Sequence, residues 1–229
     1  MDFQAVPLRL GDVYMTKNRM LELVRKNNFY IISKKDIERF AECAADAYQT
    51  YPLFKYFLGD KHNKENLKKL WKVILKSFDE NAICYSESKE VNGMVIWFVS
   101  DFNGTSAFKF LSSGGIFLPF SLGLGTLFRM LKYENHAMSV RKKYTNNTGL
   151  YLYNASVKTK AQGTGLLSKL IKPILKLSDE IDEIIYLETH NEDNVPLYEH
   201  YKFELCEANF ISKTNLTHYA MIRAKKTNY

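Results

Sequence analysis

One stretch of the chain combines residue types and spacing that could do chemistry: Val157-Lys-Thr-Lys160-Ala-Gln-Gly163-Thr-Gly165-Leu-Leu. A β-rich run (LYLYNASV, 150–157) ends, a loop with two lysines and two glycines follows, and an apolar-striped helix begins. The first N–H groups of a helix have no intrahelical acceptor and stand at the positive end of its dipole, so they hold anions. Gly163 and Gly165 let the backbone approach a phosphate with no Cβ between, and Lys158 and Lys160 add charge beside it. An ordinary glycine-containing turn would share this pattern. The triphosphate-binding loop does not fit, because no Lys-Ser/Thr pair follows the second glycine. The dinucleotide fingerprint needs a glycine where Ser168 stands. Glu188 does lie about 20 residues on, but a single strand–helix–strand unit is less than such a site usually needs.

The pattern Lys160-Ala161-Gln162-Gly163-Thr164-Gly165 resembles the acyl-CoA loop of the GCN5-related N-acetyltransferase superfamily, Arg/Gln-x-x-Gly-x-Gly/Ala, with Lys160 at the first position. Downstream, LETHNEDNVPLYEHYKFEL (187–205) resembles the second half of the family signature, with Lys202 where glycine is usual. The helix with an internal proline (LIKPILKLSDE), the Leu-Glu-Thr strand and a long insertion before the cofactor strand are most similar to a branch like puromycin acetyltransferase. Together these motifs cover about a third of the chain.

The resemblance implies an α/β fold of three layers: a mixed central sheet of about six or seven strands flanked by helices, splayed between the cofactor strand and the next. It implies acetyl-CoA as co-substrate, no metal, and direct acetyl transfer to a primary amine of a small molecule in a ternary complex. Ala155 and Val157 would hydrogen-bond the pantetheine arm, and the N–H groups from Gln162 through Gly163, Thr164 and Gly165 to Leu166 would hold the pyrophosphate. The Val157 N–H would polarise the thioester carbonyl and stabilise the developing oxyanion. Tyr198 matches the tyrosine that protonates the leaving thiolate. Glu188 matches a glutamate in the compared branch and is the candidate for deprotonating or binding the acceptor. His190, next along, is expected on the opposite strand face. Asn194, four before Tyr198, fits the asparagine that braces the cofactor better than Asn191, although either could be a plain helix cap. The departures at Lys160 and Lys202 leave open a CoA-binding or regulatory module without catalysis.

These residues need elements to position them. MTKNRMLELVRKN (15–27) has a weak helical pattern, and Phe29–Ile32 reads as a strand. Ser33 and Asp36 form a capping box ahead of a helix with Ile37, Phe40, Ala41, Ala44 and Tyr48 on one face. After a break at Pro52, Asn63 caps a second helix with the stripe Leu67, Leu70, Trp71, Ile74 and Phe78. Residues 82–87 and 93–99 read as a hairpin. A helix is predicted over about 122–143. Pro173 predicts a kink or early end in the helix after Gly165. A strand at 184–189, a short helix from Asp193 and two strands at 203–211 and 217–225 complete one domain, with 1–27 as an N-terminal extension and 102–145 as a helical insertion. Acceptor pockets in the family are built from segments equivalent to 46–60 and 102–145. Here Tyr48, Tyr51, Phe54, Tyr56 and Phe57 suggest an aromatic wall, unless they are ordinary core.

The 229 residues are 46% hydrophobic and 25% charged, a globular balance. Three cysteines at 43, 84 and 206 have no CxxC or CxxH spacing, which argues against a disulfide scaffold or zinc module. Cys206 reads as packing rather than as an acyl-carrying nucleophile. No basic-then-apolar leader opens the sequence, so a reducing, cytoplasmic setting is the expectation. The net charge of +7 permits an anionic partner. The lysines are spread over polar helix faces, however, and aromatic–basic interleaving is missing, so no nucleic-acid partner is expected. Residues 110–128 are uncharged, but Gly114-Gly115 and Pro119 would break a membrane span. We read this stretch as buried loop and short helix beside an apolar cavity, with no membrane partner; the oligomeric state is open.

Overall fold

The computed structural model describes residues 10–78, 81–99, 107–212 and 214–224. Residues 1–9 of the extension and 102–106 of the insertion lie outside these. Among the described residues the helices are α1 (Leu10–Lys26), α2 (Ile37–Ala47), α3 (Pro52–Leu58), α4 (Lys64–Ser77), α5 (Ala107–Ser112), α6 (Leu118–Leu122), α7 (Leu124–Thr145), α8 (Leu166–Ile181) and α9 (Asn194–His200). The strands are β1 (Tyr30–Ile31), β2 (Ala82–Ser86), β3 (Gly93–Val99), β4 (Leu150–Val157), β5 (Ile185–Thr189), β6 (Glu204–Ile211) and β7 (Leu216–Arg223). They form one sheet in the order β1-β2-β3-β4-β5-β7-β6. Every neighbouring pair is antiparallel except β4 and β5, which are parallel and are joined through α8.

The sheet is covered on both faces, which is why β3 is apolar from end to end rather than alternating. Met94, Ile96 and Phe98 enter a core shared with α2, α3, α4, α6 and α7, whereas Val95, Trp97 and Val99 enter one shared with α1, α8 and α9. The Ser33–Asp36 capping box and the Asn63 cap, whose Oδ1 accepts from the Asn66 N–H at 2.9 Å, start the helical segments where the sequence places them. Lys64, Lys68 and Lys72 on α4 pair with Glu38, Glu42 and Asp46 on α2. Exposed pairs of this kind contribute little stability each, but they fix one helix against the other.

Three expectations are corrected. Pro52 does not merely interrupt the chain: it occupies the first turn of α3, where its missing N–H is harmless. Pro173 does not end α8, which runs on to Ile181 because Leu170, Ile171, Ile174 and Leu175 anchor both halves in the core. The uncharged stretch does form short helices, divided at Gly114 (φ +110°) and Gly123 (φ +84°), and no helix among the described residues is long and apolar enough to cross a membrane. It is not buried throughout, however. Leu118 and Leu122 face the core, whereas Phe117, Phe120 and Phe128 are 69%, 86% and 68% exposed. Short helices that are apolar all round have only one face to bury.

The unusual Lys202 also has a physical explanation. It sits in the turn after α9 at φ +66°, a conformation that glycine adopts freely and that costs an L-residue about 1 kcal/mol. Lys202→Gly is expected to raise the melting temperature by about 2 °C, measured by calorimetry; no rise would mean that the lysine side chain compensates the strain.

Candidate active site

The parallel pairing of β4 with β5 covers only Leu150↔Ile185, Tyr151↔Tyr186 and Leu152↔Leu187. Beyond it, the backbone of Tyr153–Val157 has no strand partner on that side among the described residues, while β4 stays paired with β3 as far as Val157↔Gly93. The register shifts at this point, with Ile96 opposite Asn154 but Trp97 opposite Leu152, so Tyr153 is the extra residue of a bulge. A bulge bends its strand and re-aims side chains. Here Tyr153 and Asn154, consecutive in sequence, both line one cavity. Tyr48 donates to Asn154 Oδ1 at 2.6 Å, as does Ser156 at 2.9 Å.

At the end of β4 the loop turns through a short 3₁₀ segment, Thr159–Ala161, into the N-terminus of α8. Gly163 (φ +75°) and Gly165 (φ +80°) are both left-handed, and a Cβ added at either would meet nothing within 4 Å. The turn is therefore open, with Lys160, Gln162, Thr164 and Gly165 exposed. Its conformation is fixed from outside by Asp46 on α2, which accepts from the Thr159 N–H at 2.8 Å, and from within by Gln162, which donates its amide to the Val157 carbonyl at 3.1 Å, and Thr164, which donates to the Ala161 carbonyl at 2.7 Å. The first turn of α8 lies close on the sheet because Gly93 has no side chain; a Cβ there would stand 2.9 Å from Leu166 Cδ2. Unpaired backbone thus leads directly into an open, glycine-bearing helix start, a surface suited to an extended arm ending in phosphate. Ala155, Val157 and the residues from Lys160 to Leu166 all lie along it.

On the α2–α7 side of the sheet, beside the parting, is a cavity of about 340 Å³. Tyr48, Tyr51, Phe54, Phe57 and Trp71 form an aromatic wall, and Phe110, Leu127, Met130 and Tyr133 close it from the insertion. Tyr56 is not part of the wall. Glu188 and His190 both reach this cavity. The expectation that they face opposite ways is wrong, because strand positions two apart share a face. Glu188 is enclosed, with a side chain 7% exposed; its Oε1 lies 3.8 Å from Arg141 Nη1, and its Oε2 accepts from the Tyr133 hydroxyl at 3.1 Å. Burial raises its pKa above the usual carboxylate value, against the opposing pull of Arg141 and the tyrosine hydrogen bonds. Glu134, one residue after Tyr133 on α7, lines the same cavity and is pushed up to about 7, first by burial and then by the charge of Glu188.

His190 is 6% exposed, and among the described residues its Nε2 has no hydrogen-bond partner. His218 packs against it at 5.4 Å between ring centroids, and His136 against His218 at 5.1 Å. Burial, then the neighbouring histidines, keeps His190 well below its ordinary value, and His218 falls to about 4 for the same reasons. The His190 and His218 rings are therefore neutral near pH 7. Among the described residues no group of three or more His, Cys, Asp and Glu side chains is arranged to hold a metal ion.

Tyr198 is not brought to this cavity. It lies on α9 in the core of the other sheet face, 8% exposed and edge-on to Phe203 at 5.8 Å. Burial, then the Tyr51 phenol, raises its pKa. A hydrogen-bonded link joins the two sides at the end of β5: the Tyr51 hydroxyl is 3.0 Å from Thr189 Oγ1, which accepts from Asn194 Nδ2 at 3.0 Å. Asn194 thus braces β5, and Asn191 Oδ1 accepts from the Asp193 N–H at 3.4 Å within the turn. The Cys206 thiol is half-buried and its pKa is raised by burial, which disfavours a thiolate.

Sequence reasoning missed Glu134, Arg141, Asn154 and the His136–His218 pair. A signal for the first two exists: Tyr133, Glu134, Ala137, Val140 and Arg141 recur at helical spacing, with two opposite charges on an otherwise apolar stripe. Charges on a buried stripe need a partner or a purpose.

No family model matches the chain. An uncharacterized N-acetyltransferase of Schizosaccharomyces pombe is 28% identical over 191 residues, spanning 80% of this chain and 77% of that protein. Of the solved structures, one described as histone acetyltransferase HPA2 and related acetyltransferase, from Corynebacterium glutamicum, matches with a TM-score of 0.58 at 16% identity, covering 87% of this chain and 97% of the other. A mosquito arylalkylamine N-acetyltransferase like 5b matches with a TM-score of 0.52 at 12% identity, covering 86% and 98%. At these identities the structural likeness shows the fold.

Proposed function

We propose that the chain is a member of the GCN5-related N-acetyltransferase superfamily and that it transfers an acetyl group from acetyl-CoA to the primary amine of a small molecule by direct attack in a ternary complex. The observation that carries this reading is the coincidence of the β4–β5 parting with the open helix start after Gly165. When bound, the co-substrate supplies an acetyl thioester. The free β4 backbone at Ala155 and Val157 aligns its arm as a further strand would, and the N–H groups from Gln162 to Leu166 hold its diphosphate, with Lys160 beside them. The Val157 N–H faces the thioester carbonyl oxygen. Fixing two reactants in line supplies most of the rate in such a transfer.

The acceptor enters the aromatic cavity with its nitrogen toward Glu188. One ammonium proton passes to the carboxylate, the amine lone pair forms the new C–N bond as the C–S bond breaks, the thiolate takes a proton from Tyr198, and the second proton that the nitrogen sheds goes to the Tyr198 phenolate. Burial keeps Tyr198 protonated until then. The free thiols Cys43, Cys84 and Cys206 support a reducing, cytoplasmic setting. Isothermal calorimetry with CoA, followed by thiol-release assays on a panel of amines, tests the proposal. Tight CoA binding with no thiol release from any amine would favour the non-catalytic reading prompted by Lys160 and Lys202. Tyr198→Phe is expected to lower kcat about 100-fold with little change in CoA affinity; wild-type turnover would remove Tyr198 from the mechanism.

A further inference from the structure

We infer that Glu134, Glu188 and His190 together form a seat for one ammonium group, and that the acceptor is a monoamine with an uncharged, aromatic or branched apolar body. The inference rests on reading the cavity as the acceptor pocket and names what that pocket selects.

Two independent observations meet here. The first is a pair of carboxylates lining a single aromatic cavity, with Arg141 as the cation recorded against them. With both carboxyls ionised and one charge on Arg141, these three side chains sum to one negative charge, and in a poorly solvated site such a charge is costly until it is matched. One ammonium matches it. A diamine would bring an unmatched positive charge among aromatic side chains, and an amino acid would bring an unmatched carboxylate. The second observation is a pair of enclosed polar atoms on the same wall that lack hydrogen-bond partners: Glu188 Oε1 and His190 Nε2. Glu188 lies on β5 and His190 directly follows its last residue, and both reach the cavity. Native interiors leave few such atoms unpaired. An ammonium has three N–H donors, and the seat has three acceptors: Glu188 Oε1, a Glu134 oxygen and the neutral His190 Nε2. The rest of the wall offers ring faces, Tyr48, Tyr51, Phe54, Phe57 and Trp71, which suit an uncharged apolar or aromatic body.

Trp71 on the cavity wall gives a reporter that needs no turnover. Binding is read from its fluorescence with 2-phenylethylamine, its uncharged isostere 2-phenylethanol, 1,6-diaminohexane and phenylalanine, each with and without CoA. The wild-type protein is expected to bind phenylethylamine at least about 10-fold more tightly than each of the other three. Glu134→Gln should cut the amine-over-alcohol preference at least about 10-fold while leaving CoA affinity by calorimetry within twofold. Equal binding of amine and alcohol, a preference for the diamine or the amino acid, or an unchanged preference in a folded Glu134→Gln protein overturns the inference. The wild-type ligand series stands even if the variant does not fold. Failure to bind CoA would instead overturn the proposed acetyl transfer and leave the ammonium seat to be judged by the same series.

Discussion

Replacing Gly165 with arginine is expected to weaken CoA binding at least about 100-fold in calorimetry, leaving a folded protein. The position opens α8 at φ +80°, and the space above it is empty. A long side chain there occupies the ground proposed for the diphosphate and covers the N–H groups that would hold it. Backbone strain must be separated from obstruction, because any L-residue at this φ costs about 1–2 kcal/mol. Gly165→Ala bears the same strain without the bulk, so it should lose a few degrees of melting temperature yet keep most of its affinity. If the arginine variant binds CoA as the alanine variant does, the diphosphate lies elsewhere and the enzymatic reading falls. Lys160→Glu, which reverses a charge beside the turn without altering its backbone, should show a smaller loss that shrinks further as salt is raised.

Glu188→Gln is expected to lower kcat by about 100- to 1,000-fold, with CoA affinity within twofold of wild type. Glutamine preserves the shape and can still accept from Tyr133, but it cannot take the acceptor's proton. Unchanged turnover would assign the proton to water or to Glu134. The wild-type pH profile has a definite sign. A carboxylate serves as base only when ionised, and burial raises the values of both Glu188 and Glu134, the latter to about 7. The kcat/KM for the amine should therefore go on climbing above the range in which an ordinary exposed carboxylate titrates, rather than level off near pH 5. In Glu134→Gln the like charge is gone, so the rise should move to lower pH.

The backbone plan was legible because it rests on local chemistry. The Ser33–Asp36 box, the Asn63 cap and the strictly apolar β3 leave little choice of element, and the glycines at 163 and 165 mark where a strand must hand over to a helix. The cavity was legible only as a wall. Tyr48, Tyr51, Phe54 and Phe57 fall together in sequence, so their clustering could be read. Glu134 and Arg141 lie on α7, far along the chain from Glu188, and only the folding of the insertion over the sheet brings them together. The bulge at Tyr153 leaves no trace in the alternation of LYLYNASV, because tyrosine, asparagine and alanine are each tolerated on either face of a strand. Burial in 110–128 was misjudged because lack of charge says nothing about how many faces of a short helix find a neighbour.

The three residue pairs shared by β4 and β5 have a mechanical meaning. Among the described residues they are the strand pairs that tie a plate of four strands, β1 to β4, to a plate of three, β5 to β7. The gap below them is a seam whose width depends on the tilt between the plates. Leu152 and Leu187, paired at the last rung, therefore act as a fulcrum, so repacking there changes how wide the seam stands without touching anything held inside it. A ligand laid along the free edge of β4 would stitch the seam, stiffening both plates at once.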